Sequence, residues 1–222
     1  NKMFIINCKN YDEIAGDKII KIAKISEKIS KKYKVPIAIA PPHHLIPLIT
    51  KFKITVLAQH VDDKKVGSTT GFMVPEIVKK SKINGSIINH SEHRISEKEI
   101  ISLVKRLKKL KLKTVLCVKN VNEAKKYAKL NPTFIAIEPP ELIGTGRAIS
   151  TEKPALISNA VKAVSSAKNS TKLLCGAGIV SGQDVSKAKE LGSRGILVAS
   201  GIVKAKNWEK IISEFCKGLK SQ

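Results

Sequence analysis

Aromatic side chains are scarce. The 222 residues hold one Trp, three Tyr and five Phe, so a core must be built from Ile, Leu, Val and Ala, and stacking platforms for nucleic acid bases are few. Cysteine is sparse too. Cys8, Cys117, Cys175 and Cys216 form no C-x-x-C pair, which removes the zinc and dithiol redox motifs. The adjacent His43 and His44 follow Pro41-Pro42 with no carboxylate cluster beside them, so they suit a loop or helix start better than a metal site. No apolar run approaches the roughly 20 residues of a membrane span. With the first strand pattern beginning at Met3, the expectation is a chain without a signal peptide, its initiator Met removed or left out ahead of Asn1. Three cysteines fall in apolar strand-like runs and one in a helical pattern. The expectation is a cytoplasmic protein with buried thiols and no membrane partner.

Acidic residues are the other shortage. Lys+Arg number 41 against Asp+Glu 18, a formal net charge of +23. Such a balance fits nucleic acid binding, a field that draws in small phosphorylated anions, or adaptation to a salty or hot cell interior. The lysines are spread over most predicted helices rather than held in one block. With so few aromatics, this argues against specific nucleic acid recognition. Asp62-Asp63 followed by Lys64-Lys65 reads as a solvated loop.

What the chain has in abundance is a repeat of apolar run and helix. The first strand is expected over Phe4–Asn10, with one helix from Asp12 to Lys34 carrying Ile19, Ile22, Ile25 and Ile29 at helical spacing. Further strands are expected over 37–40, 55–59, 86–90, 114–118, 134–137, 172–175 and 195–198, each followed by a helical pattern. Eight such units with no linker or low-complexity segment close most naturally into a single-domain α/β fold over residues 1–222, a (β/α)8 barrel. A doubly wound open sheet is the rival, but it calls for a glycine-rich turn after the first strand. Here that turn reads Asn7-Cys-Lys-Asn-Tyr11.

Chemistry in such a barrel sits at the C-terminal ends of the strands. Those ends supply Asn7 and Lys9, Gln59, His90 with Ser91 and Glu92, Glu138, Gly176-Ala-Gly178 and Ala199-Ser200-Gly201. Phe134 to Ile137 form an unalternated buried strand ending in the carboxylate of Glu138. Pro139-Pro140 stiffen the exit, and Gly144 and Gly146 close a loop able to swing as one piece. Lys9 is a fixed cation suited to an anionic substrate or a developing oxyanion. His90 can donate to a carbonyl oxygen or shuttle a proton, and Ser91 could cap the helix after it. The glycine-rich seventh and eighth loops let backbone N–H groups approach a phosphate closely.

These residues together resemble the triosephosphate isomerase family, and most closely its shorter archaeal form, over nearly the whole chain. The resemblance is carried by Asn7-x-Lys9, Ala58-Gln59, Thr69-Thr70-Gly71, Asn89-His90-Ser91-Glu92-x-Arg94, Glu138-Pro-Pro-Glu-Leu-Ile-Gly-Thr-Gly146, Cys175-Gly-Ala-Gly178 and Val198-Ala-Ser-Gly201. It implies interconversion of dihydroxyacetone phosphate and glyceraldehyde 3-phosphate without metal or cofactor. Glu138 would be the base and His90 the electrophile. Lys9 would neutralise substrate charge, Asn7 would position substrate oxygens, and Glu92 would hold Lys9. Backbone near Ile143, Gly144, Gly178, Ala199 and Ser200 would bind the phosphate, under a lid from Pro139 to about Gly146. The resemblance also implies an oligomer, a homotetramer in the archaeal form, with Thr70 reaching into a neighbour's site. The chain departs from many relatives at Glu141-Leu142, Gly178, Ala199-Ser200, Phe72 and His93. Two other classes remain: a Schiff-base aldolase on a phosphate-binding barrel, for which Lys9 is the one strong candidate, and a basic nucleic-acid-binding barrel.

Overall fold

The computed structural model describes residues 2–142 and 145–220. Eight parallel strands close in sequence order: β1 (Met3–Asn7), β2 (Ile37–Ala40), β3 (Thr55–Ala58), β4 (Gly85–Ile88), β5 (Lys113–Val118), β6 (Phe134–Ile137), β7 (Lys172–Cys175) and β8 (Gly195–Val198), with β8 pairing back onto β1. The return path after most strands is helical: α1 (Lys18–Tyr33), α2 (Pro75–Lys79), α3 (Glu97–Lys109), α4 (Val121–Ala128), α5 (Ile149–Glu152), α6 (Pro154–Ser165), α7 (Gly182–Glu190), α8 (Ser200–Val203) and α9 (Trp208–Lys220). After β2 the connection is a 3-10 turn, His43–Leu48.

The strands are apolar on both faces because both are covered. Ile5, Leu57, Ile87, Val115 and Leu174 fill the barrel interior. The alternate residues, among them Phe4, Ile6, Leu116, Ile135 and Ile196, pack against the helices. Phe4 stacks on Phe215 of α9 with centroids 5.7 Å apart, tying the first strand to the last helix. All four cysteines are free thiols and buried.

Period-two alternation also places the mouth residues. Met3 and Ile5 point into the barrel, and Asn7 is the next residue in that row. Phe134 and Ala136 lead in the same way to Glu138, Leu174 to Gly176, and Leu197 to Ala199.

Several sequence expectations are corrected. β1 stops at Asn7, because Lys9 takes a left-handed backbone (φ 46). The long first helix is a 3-10 turn, Asp12–Ile14, followed by α1. Gly16 at φ 58 breaks the path between them. β4 ends at Ile88, since Asn89 turns left-handed (φ 59). Ser91 caps nothing: α3 begins with Ser96, whose hydroxyl accepts from the Glu99 amide in a reciprocal capping box. The acidic pair after β3 is not merely solvated. Asp63 accepts from Arg106 and Ser102 of α3, each at 2.8 Å. Asp62 pairs with His60 at 2.9 Å and accepts the Met73 amide at 2.8 Å, which pins the neck of the loop that carries Thr70.

Because the strands run one way, the helices run back the other way. Carboxylates sit in their first turns: Glu76, Glu97, Glu99, Glu123, Glu152, Asp184 and Glu209. Cations fill their last turns: Lys31 and Lys32, Arg106 with Lys108 and Lys109, Lys125 and Lys126, Lys187 and Lys189, Lys217 and Lys220. This is the arrangement the helix macrodipole favours. Lysines dispersed along the sequence therefore gather at the end of the barrel where the strands begin.

Candidate active site

Asn7 ends β1 and is buried. Its side-chain oxygen accepts the Lys9 amide at 3.0 Å. The Lys9 carbonyl in turn accepts from Gln59 Nε2 at 2.8 Å, and the same nitrogen donates to the Ala40 carbonyl. These bonds hold the left-handed turn and aim the Lys9 ammonium at Glu92, with which it forms an ion pair. A lysine so paired is a fixed positive charge. It is not the desolvated amine that Schiff-base chemistry requires.

Asn89 swings His90 into the mouth. Its amide donates to the Cys117 carbonyl at 3.1 Å, its side-chain oxygen accepts the Ile95 amide, and its carbonyl accepts from Arg94 at 2.8 Å. His90 Nδ1 accepts the Glu92 amide at 3.1 Å. With Nδ1 used as an acceptor, the ring proton belongs on Nε2. Nε2 lies 3.3 Å from Glu138 Oε2.

Glu138 is 3% exposed, its backbone amide bonded to the Val118 carbonyl. Oε1 is buried and receives no N–H or O–H donor. The Cys117 thiol lies against this carboxylate; burial first, and the Glu138 charge second, push its pKa well up, so it remains a neutral thiol. Gly176 leaves room for the base, since a Cβ there would stand 2.7 Å from Glu138 Cγ. Gly178 (φ 63) is equally constrained, because a Cβ would meet the Arg147 carbonyl at 2.0 Å. Thus the far end of the lid rests on the seventh loop. Within the lid, Leu142 is fully buried, and its carbonyl accepts from the Thr145 hydroxyl at 2.8 Å.

One cavity brings together Asn7, Lys9, His90, Glu138, Gly178, Ala199 and Ser200. A second, of about 740 Å³, shares Asn7, Lys9 and His90 and is bordered by Glu92, Gly71 and Phe72. The expected residues thus converge, apart from four. Ser91 lines neither cavity. Thr70 is exposed on its loop. Ile143 and Gly144 lie outside the described residues. The sequence had placed Gln59 at the mouth and Asn89 and Arg94 in a motif, but not the bonds by which they hold the two turns. His60 was missed. It stacks on His93 at 3.6 Å between centroids and bonds Asp62. His43 Nε2 accepts the Gln59 amide at 3.1 Å.

A closed parallel barrel whose mouth sets a buried carboxylate against an imidazole, with an ion-paired lysine alongside, is an acid–base enzyme of the (β/α)8 class. The model of the family described as triosephosphate isomerase matches residues 2–215. The chain is similar to the triosephosphate isomerase of Cenarchaeum symbiosum, 52% identical over 217 residues, 98% of this chain and 97% of that protein. It is 42% identical to that of Methanocaldococcus jannaschii over 97% of this chain and 99% of that protein. With that of Saccharolobus solfataricus it shares 42% identity over 96% of this chain and 94% of that protein. The chain belongs to the triosephosphate isomerase family, and its isomerase relatives here are archaeal.

Proposed function

We propose that the barrel interconverts dihydroxyacetone phosphate and D-glyceraldehyde 3-phosphate, the glycolytic and gluconeogenic reaction, with Glu138 as base and His90 as electrophile. The observation that carries this reading is the 3.3 Å opposition of Glu138 Oε2 and His90 Nε2 beside Lys9. Glu138 takes a proton from C1 and returns it to C2. His90 donates from Nε2 to the carbonyl oxygen, and the Lys9 charge stabilises the enediolate oxygens. Asn7 fixes Lys9 and faces the substrate oxygens, while Glu92 holds both the Lys9 ammonium and His90 Nδ1. The reading calls for no metal and no cofactor.

The phosphate is held by backbone N–H groups of Gly178 and of Ala199-Ser200, joined by those of Ile143 and Gly144 when the lid closes. Closure of this loop over the substrate is well known in the family. It retains the enediolate phosphate, which on escaping would expel inorganic phosphate by elimination.

The molecule works as an oligomer, at least a homodimer and by its archaeal likeness a homotetramer. Exposed Val66, Phe72, Ile77 and Ile101 on the loop with Thr70, α2 and α3 support this. Thr70 of one copy reaches Asn7 and His90 of the next. Among the described residues no helix is long and apolar enough to cross a membrane. The buried free thiols support a reducing, cytoplasmic setting.

A coupled assay of glyceraldehyde 3-phosphate isomerisation tests the reading. The wild type turns over rapidly, and Glu138→Gln loses about 10²–10⁴ in kcat while keeping its circular dichroism. An inactive wild type, or a fully active variant, overturns it. Sedimentation equilibrium tests the assembly separately.

A further inference from the structure

The end of the barrel opposite the active site carries a second concentration of chemistry. Two cavities open there between strand starts and helix ends. One, of about 510 Å³, is bordered by Lys2, Lys172, Lys189 and Arg194. The other, of about 470 Å³, is bordered by Lys108, Lys111, Lys113 and the same Lys172. Lys172 thus joins them into one cationic trough. Its cations come from four strand starts, just before β1 and β8 and at the head of β5 and β7, and from the last turns of α3 and α7. Among the described residues no carboxylate borders either cavity.

Helix compensation alone does not demand this arrangement. Each helix C-terminus carries only about half a negative charge; Lys2 serves one of them, donating to the Leu219 carbonyl of α9 at 2.7 Å, but Lys113, Lys172 and Arg194 are not helical at all. The cations also crowd one another. Burial first, then the neighbouring Lys189 and the charges of Arg194 and Lys220, lower the pKa of Lys2. Like charges gathered in a concavity that no carboxylate borders among the described residues suit a multivalent anion.

The lining narrows the choice. Its one aromatic side chain is Phe134, 6% exposed, so no platform exists on which a base could stack. A flexible chain of phosphates without bases satisfies each of these features.

We infer that the trough joined at Lys172 binds linear inorganic polyphosphate, at a site separate from the catalytic mouth. Titration calorimetry with medium-chain polyphosphate, tripolyphosphate, orthophosphate and a mixed-sequence single-stranded oligonucleotide tests this on the intact protein. Affinity is expected to rise with phosphate chain length and to exceed that for the oligonucleotide. Because the mouth itself holds a phosphate, the titrations are repeated with the mouth saturated by triose phosphate, and polyphosphate binding is expected to persist. In the triple variant Lys111→Gln, Lys172→Gln, Lys189→Gln, binding falls by at least about tenfold, and the log–log salt slope shrinks by about 2. A control triple at the opposite end, Lys18→Gln, Lys98→Gln, Lys119→Gln, keeps both. Four outcomes overturn the inference: no polyphosphate binding at physiological salt, equal loss in the two triples, loss of polyphosphate binding when the mouth is filled with triose phosphate, or an oligonucleotide that binds as tightly. A trough triple too unstable to assay is replaced by Lys111→Gln alone, an exposed position, with a salt slope lowered by about 0.7.

Discussion

At the scale of single residues, the candidate base is positioned by what its neighbours lack. Gly176 gives Glu138 its space, and a methyl group there sits 2.7 Å from Glu138 Cγ. Gly176→Ala is therefore expected to displace the carboxylate and lower kcat by about 10²-fold, since a displacement near 1 Å costs that much. Steady-state kinetics beside an unchanged melting profile checks it. His43 offers a pH test. Burial first, then the His60, His93 and His44 charges, lower its pKa against the opposing pull of Asp62, and its Nε2 must stay unprotonated to accept the Gln59 amide. The unfolded chain thus binds more protons at this position just below pH 6.5. Stability should fall as pH drops through that window and level off below the folded pKa. Asp62, whose burial is outweighed by the Met73 amide and His60, is held below 3.8, so its contribution is lost only at lower pH. Urea midpoints at pH 7 and pH 5 should differ less in His43→Gln than in the wild type. Exposed His93, also lowered by burial and by His60, accounts for part of what remains.

At the scale of elements, Phe215 of α9 against Phe4 of β1 is the contact that closes the ring of helices on the barrel. Phe215→Ala should cost about 3–5 kcal/mol in denaturant unfolding. The helix ends make a subtler case. After α3, the Leu112 amide bonds the Leu107 carbonyl and the Lys111 amide bonds that of Lys108, which places Lys111 in the left-handed position of a Schellman ending. Lys34, Lys82 and Lys168 adopt the same backbone. Lys111→Gly should raise stability by about 0.5–1 kcal/mol, the relieved left-handed strain less the entropy glycine adds to the unfolded chain. The strands were legible in the sequence because parallel burial leaves continuous Ile, Leu, Val and Ala runs, and the mouth residues because each stands at a strand end. The turns were not. Nothing local marks Lys9 and Asn89 as left-handed, since their conformations are held by Gln59 and by Cys117 and Ile95, far along the chain or beyond the next turn. Asp63 was misread for the same reason, its partner Arg106 being 43 positions away. The cap at Ser96 was legible as Ser-x-x-Glu, but the nearer Ser91 drew attention from it.

At the scale of the whole molecule, the charge excess that composition left ambiguous acquires a direction. Eight strand–helix repeats carry acids at the head of many helices and lysines at the tail, and a closed parallel barrel stacks every tail on one side. Self-repulsion among these cations opposes the compact state. Raising salt from about 10 mM to 150 mM, which shortens the screening length from about 30 Å to 8 Å, should therefore raise the melting temperature in differential scanning calorimetry. The trough triple should show a smaller salt effect than the wild type.

The barrel is also an oriented object. Laid on an anionic support, it lands on its lysine-rich base and leaves the mouth with Glu138 and His90 facing the liquid. Adsorption would thus act as a handle on the catalyst, holding it without blocking substrate entry. Beads of a cation exchanger loaded with this protein should retain most of the turnover per molecule measured in solution.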